Sequence, residues 1–182
     1  MALPLAHGLL GATVAALAQP PQSNRQSLKI ILAAAVVAIS PDLDYVFYRL
    51  LNWGEGWHRG FSHSAAFALA AGAAAAIVVG PPTIRSFVIY SLATLSHPIL
   101  DALVTDHVGG VPLFWPVSDH LFRFGLFDYT NILRGDPSRR DVLMRALRIS
   151  LAELLVLGPI LVASIWLRKR QDPIIGKEDA LG

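Results

Sequence analysis

Residues 96–106 read Ser-His-Pro-Ile-Leu-Asp-Ala-Leu-Val-Thr-Asp, and they close an apolar run that begins near Ile84. His97 and Asp101 are four positions apart, so on a helix they lie on one face, one above the other. A histidine and a carboxylate inside an apolar helix are costly unless something pairs with them. The stretch therefore predicts a helix that carries a metal-type site near its end. A buried His97–Asp101 hydrogen bond that holds helices together is the alternative.

The composition favours a membrane protein. Of the 182 residues, 54% are hydrophobic and 15% are charged, and the mean hydropathy is +0.51. Soluble chains carry about 25% charged residues. The formal charge of +2 and the lack of a basic stripe with interleaved aromatics argue against nucleic-acid binding. Because the chain has no cysteine, a metal must be bound by histidine, carboxylate, backbone or water.

Five apolar runs predict an all-α integral membrane bundle with four to five membrane-associated helices. They occupy residues 3–18, 28–40, 65–80, 84–104 and 149–167. The runs at 84–104 and 149–167 have about the 20 residues that a span needs, whereas the first two are short and could be tilted or re-entrant. The first run resembles a secretory signal, but no Lys or Arg precedes it, so we expect it to be retained.

The segments between the runs are less regular. Residues 52–64 and 107–135 are predicted loops, and residues 138–148 form either an amphipathic helix at the membrane interface or a polar lead-in to the last span. Basic residues nearly balance between the two sides, and the cluster at residues 168–170 favours a cytoplasmic C-terminus. We expect one domain over residues 1–170 and a short tail over 171–182.

If each run crosses the membrane once, the residues with metal-binding side chains all fall toward one side. They are His7, Asp42, Asp44, His58, His63, His97 and Asp101. Imidazole nitrogen and carboxylate oxygen suit zinc, manganese or iron better than magnesium. The set exceeds what one four-coordinate ion can use, so we expect one or two divalent metal ions, with zinc as the first choice. A bridged pair would generate hydroxide at neutral pH.

Each of these residues also has a plainer interpretation. Asp42 and Asp44 point the same way if their segment is extended, but aspartates also solvate helix ends and turns. His7 could be a packing histidine bonded to the backbone. His58 could be a polar loop residue, and His63 could stand beside the cap of the following helix, for which Ser62 or Ser64 is available.

Other polar residues could assist such a site. Arg59 could stabilise an anionic substrate or transition state, or it could form a salt bridge with Asp42 or Asp44. Glu153, near the start of the last span, is a functional candidate or a partner of Arg148. Four further residues are candidates for orienting ligands or are plain loop residues: Asp106, His107, Asp119 and His120.

The ordered motifs resemble a known family, the bacterial membrane-bound metal-dependent hydrolases, also described as LexA-binding, inner-membrane-associated candidate hydrolases. The matching pieces span residues 7–119: His7-Gly8, Pro41-Asp42-Leu43-Asp44, His58-Arg59-Gly60 with His63-Ser64, Ser96-His97 with Leu100-Asp101, and Phe114-Trp115-Pro116. The resemblance implies a multi-helix inner-membrane protein with metal-dependent hydrolase activity. The order of the ligands is also remotely similar to that of zinc-dependent phospholipase C, which implies a phosphoester or lipid headgroup as substrate.

The leading hypothesis is therefore a hydrolase whose metal-activated water attacks an ester or phosphoester drawn from the membrane, with Asp44 and Arg59 as candidate catalytic residues. The alternative is a non-enzymatic membrane protein, a metal or proton transporter or a scaffold, with a structural His/Asp cluster. A transporter needs polar residues through the full membrane depth. The run at 65–80 has none, which favours a site over a pathway.

Overall fold

The computed structural model describes residues 2–19, 23–51, 60–105, 110–128 and 139–171. Its helices are α1 (Pro4–Ala18), α2 (Asn24–Ile39), α3 (Asp44–Leu51), α4 (Ala65–Val79), α5 (Ile84–Leu103) and α6 (Arg139–Gln171). Short 3₁₀ turns stand at Ser40–Leu43 and Phe61–His63. Two strands of two residues each, β1 (Val104–Thr105) and β2 (Phe127–Asp128), pair in parallel. Helices dominate, so the all-α prediction is confirmed.

Three stretches of the described chain are long and apolar enough to cross a membrane, namely Asn24–Val46, Ile84–Leu103 and Leu143–Arg170. The first runs through α2, the 3₁₀ turn and the start of α3, so it is longer than the sequence run at 28–40. It begins earlier because the Ser23 hydroxyl accepts a hydrogen bond from the Gln26 N–H and caps α2. Helices α1 and α4 are shorter apolar helices. The chain is a multi-pass membrane protein.

Helix α6 is one continuous helix of 33 residues. Residues 139–148 are therefore a lead-in to the last span and not a separate helix. Only 17% of the most apolar part of this helix is buried within the protein. Its remaining apolar surface faces outward, as expected for a helix that packs against lipid.

The helices pack closely because the residues at their contacts are small. Helix α1 contacts α2, α5 and α6, and α4 contacts α5. A Cβ atom added at Gly11 would meet the Ala34 carbonyl oxygen at 2.7 Å and would also overlap Ala38. One added at Gly72 would meet the Ser91 nitrogen at 2.5 Å. Small residues at such positions let helix backbones approach each other in a bilayer. This approach brings α1 against the C-terminal half of α2.

The segment 110–128 covers the start of α4 and the end of α5. Val111 and Phe122 pair through two backbone hydrogen bonds. The Ala65 N–H at the start of α4 donates to the Leu113 carbonyl, and the Phe124 N–H donates to the Ala102 carbonyl near the end of α5. The described part of the predicted loop at 107–135 is thus an ordered cover held by backbone bonds.

Candidate metal centre

Six of the seven residues expected to bind metal come together at one end of the bundle. His7 lies in the first turn of α1, Asp42 in the 3₁₀ turn after α2, and Asp44 at the start of α3. His63 ends the 3₁₀ turn before α4, and His97 and Asp101 lie in the last two turns of α5. The seventh, His58, lies outside the described residues, as does Arg59.

Three side chains from three elements point at one spot. The Nε2 atoms of His63 and His97 are 3.2 Å apart. The Asp42 Oδ1 atom lies 3.4 Å from His97 Nε2 and 3.9 Å from His63 Nε2. A tetrahedral zinc ion with bonds of about 2.0–2.1 Å to nitrogen and oxygen separates its ligand atoms by roughly 3.3–3.4 Å. The three atoms are therefore spaced like one face of such a tetrahedron.

Hydrogen bonds at the far side of each ring define where the lone pairs lie. His97 Nδ1 is 2.8 Å from the Ala38 carbonyl oxygen, so Nδ1 carries the proton and donates it. The Ser62 hydroxyl donates to Asp44 Oδ2 at 2.6 Å and therefore accepts from His63 Nδ1, which lies 3.0 Å away. Both Nε2 atoms then present lone pairs to each other at 3.2 Å. Two facing lone pairs need a cation between them, either a metal ion or a shared proton.

Asp101 connects this pair of histidines to His7. One carboxylate oxygen of Asp101 lies 3.5 Å from His63 Nε2 and 3.8 Å from His97 Nε2. The other lies 3.6 Å from His7 Nε2. The His7 ring stacks on the His97 ring with centroids 3.5 Å apart. If ions were bound beside His7 and beside the His63–His97 pair, Asp101 would be within reach of both.

The candidate ligands form two groups that share one histidine. The first contains Asp42, His63 and His97, and the second contains His7, His97 and Asp101. Because Nδ1 of His97 is bonded to a carbonyl, this ring has one lone pair and can bind one ion at a time. One ion therefore fits the first group directly. A second ion would rest on His7 and Asp101, with water or other residues completing its shell.

The chemistry of these groups fits a bound cation. His7, His63 and His97 are fully buried, and Asp101 is 2% exposed. Within the described part of the chain, the two ring nitrogens of His7 and the Asp42 Oδ1 atom are buried without a hydrogen bond. Buried polar atoms are normally bonded, and a metal ion is a common reason why such atoms have no protein partner. A divalent ion would also balance the charges of Asp42 and the buried Asp101.

Asp44 occupies a different position from the one that the sequence pattern suggested. In an extended segment Asp42 and Asp44 would point the same way, but this segment is a 3₁₀ turn followed by a helix. With three residues per turn, neighbours two apart diverge. Asp44 Oδ2 accordingly faces Nδ1 of His63, at 3.5 Å, while Asp42 faces the Nε2 atoms. The direct metal ligation predicted for Asp44 stays a prediction, and its position suits a group that orients His63.

The remaining loop candidates are placed as follows. Asp119 and His120 are exposed on the segment that covers α4 and α5, and neither belongs to the groups of described residues that could hold an ion. Asp106 and His107 lie outside the described residues. The Ser64 hydroxyl accepts the Phe67 N–H and caps α4, which confirms one of the two expected caps.

Glu153 of α6 joins the last span to the first helix. It is 3% exposed, and its Oε1 atom accepts a hydrogen bond of 2.8 Å from the Leu3 N–H at the start of α1. Glu153 therefore holds the end of α1 that carries His7, and its hydrogen-bond partner is the Leu3 backbone and not the predicted Arg148. Its direct role at the site stays a prediction.

The variant Glu153→Ala is expected to lower the free energy of unfolding by about 1–3 kcal/mol, because it leaves a partly buried N–H without its acceptor. Glu153→Gln keeps an acceptor oxygen and is the matched control. Thermal unfolding in detergent compares the two. Equal losses in both variants would show that the carboxylate charge, and not the hydrogen bond, is what stabilises α1.

Burial and charge act in opposite directions on His63. Burial lowers the pKa of His63, while hydrogen bonds to Asp101 and Asp44 and the charges of both carboxylates raise it by more, so the pKa of His63 lies above its ordinary value of 6.5. A protonated imidazole cannot bind a metal. Protons therefore compete with the metal at His63 up to a higher pH than at an ordinary histidine.

We expect the apparent metal affinity to fall as the pH drops through the raised pKa of His63, by about tenfold per pH unit below it. Above that pKa, His63 contributes no further pH dependence. Competition titrations with a chromophoric chelator between pH 6 and pH 8.5 measure this profile. An affinity that is constant over the whole range would remove His63 from the ligand set.

Two parts of the centre carried no signal in the sequence. The Ala38 carbonyl that orients His97 is a backbone group, and Ser62 was considered only as a helix cap. The Ser62 hydroxyl instead connects Asp44 to His63. Its position directly before a candidate ligand, in a segment of short turns, was the available clue.

Comparison with known proteins adds the family context. The family model described as YdjM inner membrane protein matches residues 1–171. No curated protein matches, and no solved structure matches. The matched range includes every residue of the candidate metal centre.

Proposed function

We propose that this chain, which belongs to the YdjM inner membrane protein family, is a metal-dependent hydrolase of the inner membrane that acts on an ester or phosphoester. One observation carries the proposal: two buried Nε2 lone pairs and a carboxylate oxygen lie 3.2–3.9 Å apart. Among the described residues this arrangement supplies three protein ligands, the number that catalytic zinc sites use beside an open fourth position. Zinc is the proposed ion.

The position of each residue indicates its role. Asp42, His63 and His97 would hold the ion, with Asp101 and His7 beside it. A divalent ion there would lower the pKa of bound water and polarise the ester oxygen. The Ala38 carbonyl keeps His97 in the tautomer that binds metal. The Asp44–Ser62 pair does the same for His63, so both rings are preorganised before metal or substrate arrives.

The exposure of the ligands indicates the direction of substrate approach. The Asp42 side chain is 13% exposed, whereas His63, His97 and Asp101 side chains are fully buried. Asp42 lies in the turn that follows α2, near one end of the bundle. A substrate would thus reach the centre past Asp42, at the level of the membrane surface. This location suits an ester or phosphoester of a lipid.

The complete burial of the three histidines also favours a second candidate, a structural centre in a non-enzymatic scaffold. In such a protein the cluster would fasten α1, α5 and the turns beside α2 and α4. A metal bound there would add stability without turnover. The two candidates differ in what is lost when a residue that only orients a ligand is replaced. A hydrolase loses turnover, whereas a scaffold loses only stability against unfolding.

The distinguishing experiment is a hydrolysis screen on detergent-purified, zinc-loaded protein with p-nitrophenyl esters, bis-p-nitrophenyl phosphate and phospholipids. Ser62→Ala is the informative variant, because it weakens the orientation of His63 while all ligands stay in place. A hydrolase should turn over one of these classes and lose about tenfold or more in Ser62→Ala. If zinc is bound but no class is hydrolysed, the scaffold is the correct assignment.

A further inference from the structure

A second site stands at the opposite end of the bundle. A cavity of about 250 Å³ lies between the start of α2, the end of α4 and the start of α5. Its lining includes Lys29, Arg85 and Tyr90. Along α5, Arg85 and His97 are twelve positions apart, which places this cavity about 18 Å along the helix from the candidate metal centre. It is therefore separate from that centre.

Among the described residues, the side chains near the cavity that carry charge are basic. The segments 19–30, 79–90 and 164–171 contain six basic residues and no acidic residue: Arg25, Lys29, Arg85, Arg168, Lys169 and Arg170. The structure brings the segments together, since Arg168 of α6 donates a hydrogen bond to the Ser27 hydroxyl of α2. The positive end of the α5 dipole points to the same region. This end of the bundle attracts an anion.

Apolar surface adjoins this charge. Ile30, Val79 and Ile89 line the cavity beside the two cations. Outside it, Leu28 is 56% exposed and Ile84 is 77% exposed, so apolar surface continues along the outer faces of α2 and α5. The Arg170 guanidinium lies 3.7 Å over the Trp166 ring, a pairing suited to the membrane interface. An anionic head and an apolar body are thus both accommodated.

We propose that this cavity binds the phosphate-bearing headgroup of an anionic phospholipid, in the leaflet opposite the candidate metal centre. Lys29 and Arg85 hold the phosphate, and the acyl chains run along α2 and α5. The cavity is smaller than the about 300–1,000 Å³ of sites for drug-sized ligands, so it takes a headgroup and not a whole lipid. Basic residues near the membrane surface attract anionic lipids in general; here two of them line one cavity.

Native mass spectrometry of the full chain in neutral detergent tests the proposal with phosphatidylglycerol and phosphatidylcholine as probes. The double variant Lys29→Gln with Arg85→Gln removes both cavity cations. The double variant Arg25→Gln with Lys169→Gln removes the same charge from the same end outside the cavity lining. We expect a loss of at least about tenfold in phosphatidylglycerol affinity for the first variant and much less for the second. Phosphatidylcholine should bind weakly to both double variants.

Three results would overturn the proposal. Equal losses in the two double variants would mean diffuse attraction by the basic end. Full displacement of the lipid by about 10 mM inorganic phosphate would mean a site for the free anion. A second measurement on the unmodified chain does not depend on how the variants fold: phosphatidylglycerol, but not phosphatidylcholine, should protect the amides of residues 79–90 from hydrogen exchange, and no protection there would contradict the site.

Discussion

Replacing His97 with alanine is expected to abolish hydrolysis and to weaken metal binding by more than about 100-fold, since loss of even a group that only orients a ligand costs about 10–100-fold. His97 belongs to both candidate ligand groups, stacks on His7 and lies 3.2 Å from His63. Its loss therefore affects every ion position that the described residues provide. Metal affinity by competition titration and turnover on the best substrate of the screen give the two readouts.

The matched control for this variant is His120→Ala. His120 is an exposed histidine on the segment 110–128 and contributes to neither ligand group. Its replacement should leave affinity and turnover unchanged. If His97→Ala binds metal as well as the unmodified chain does, the centre described here is not the metal site.

The second large effect is expected from Asp42→Asn, which keeps the shape of the side chain and removes its charge. Asp42 is the carboxylate that faces both Nε2 atoms, so its neutralisation should lower metal affinity by about 100-fold. Asp44→Asn should cost about tenfold, because Asp44 acts through Nδ1 of His63 and its replacement still accepts the Ser62 hydroxyl. Parallel titrations of the two variants compare these effects.

The metal-free protein provides the control for this comparison. Without a cation, the Asp42 Oδ1 atom is buried and has no hydrogen bond, so Asp42→Asn should leave the unfolding temperature of the metal-free chain unchanged or raise it. The metal-loaded variant should lose the stabilisation that the ion gives the unmodified chain. A larger affinity loss in Asp44→Asn than in Asp42→Asn would reverse the two roles and make Asp44 the ligand.

The sequence predicted the helix bounds well where the length of an apolar run sets them. The runs at 65–80 and 84–104 lie within one residue of α4 and α5 at each end. The start of α2 was placed four residues late, because Ser23 and the polar residues after it form a capped first turn. The continuity of α6 was open, since an Arg-rich helical pattern reads alike at an interface and before a span.

The sequence predicted which residues form the candidate metal centre better than it predicted how they are arranged. His97 and Asp101 share a helix face, so their proximity followed from spacing alone. His7 meets them because α1 packs against α5, a tertiary effect that spacing does not encode. The division between Asp42 and Asp44 depends on a 3₁₀ turn at Ser40–Leu43, and short turns of this kind carry little sequence signal.

The measurement that tests the account most directly is metal content by mass spectrometry on detergent-purified protein, with the unmodified chain beside His97→Ala and His120→Ala. We predict about one or two zinc ions per chain in the unmodified protein and in His120→Ala, and close to none in His97→Ala. No bound metal in the unmodified chain, even after reconstitution with zinc, manganese and iron, would contradict the account. The His/Asp cluster would then be a proton-sharing structural network, and the hydrolase proposal would fail with it.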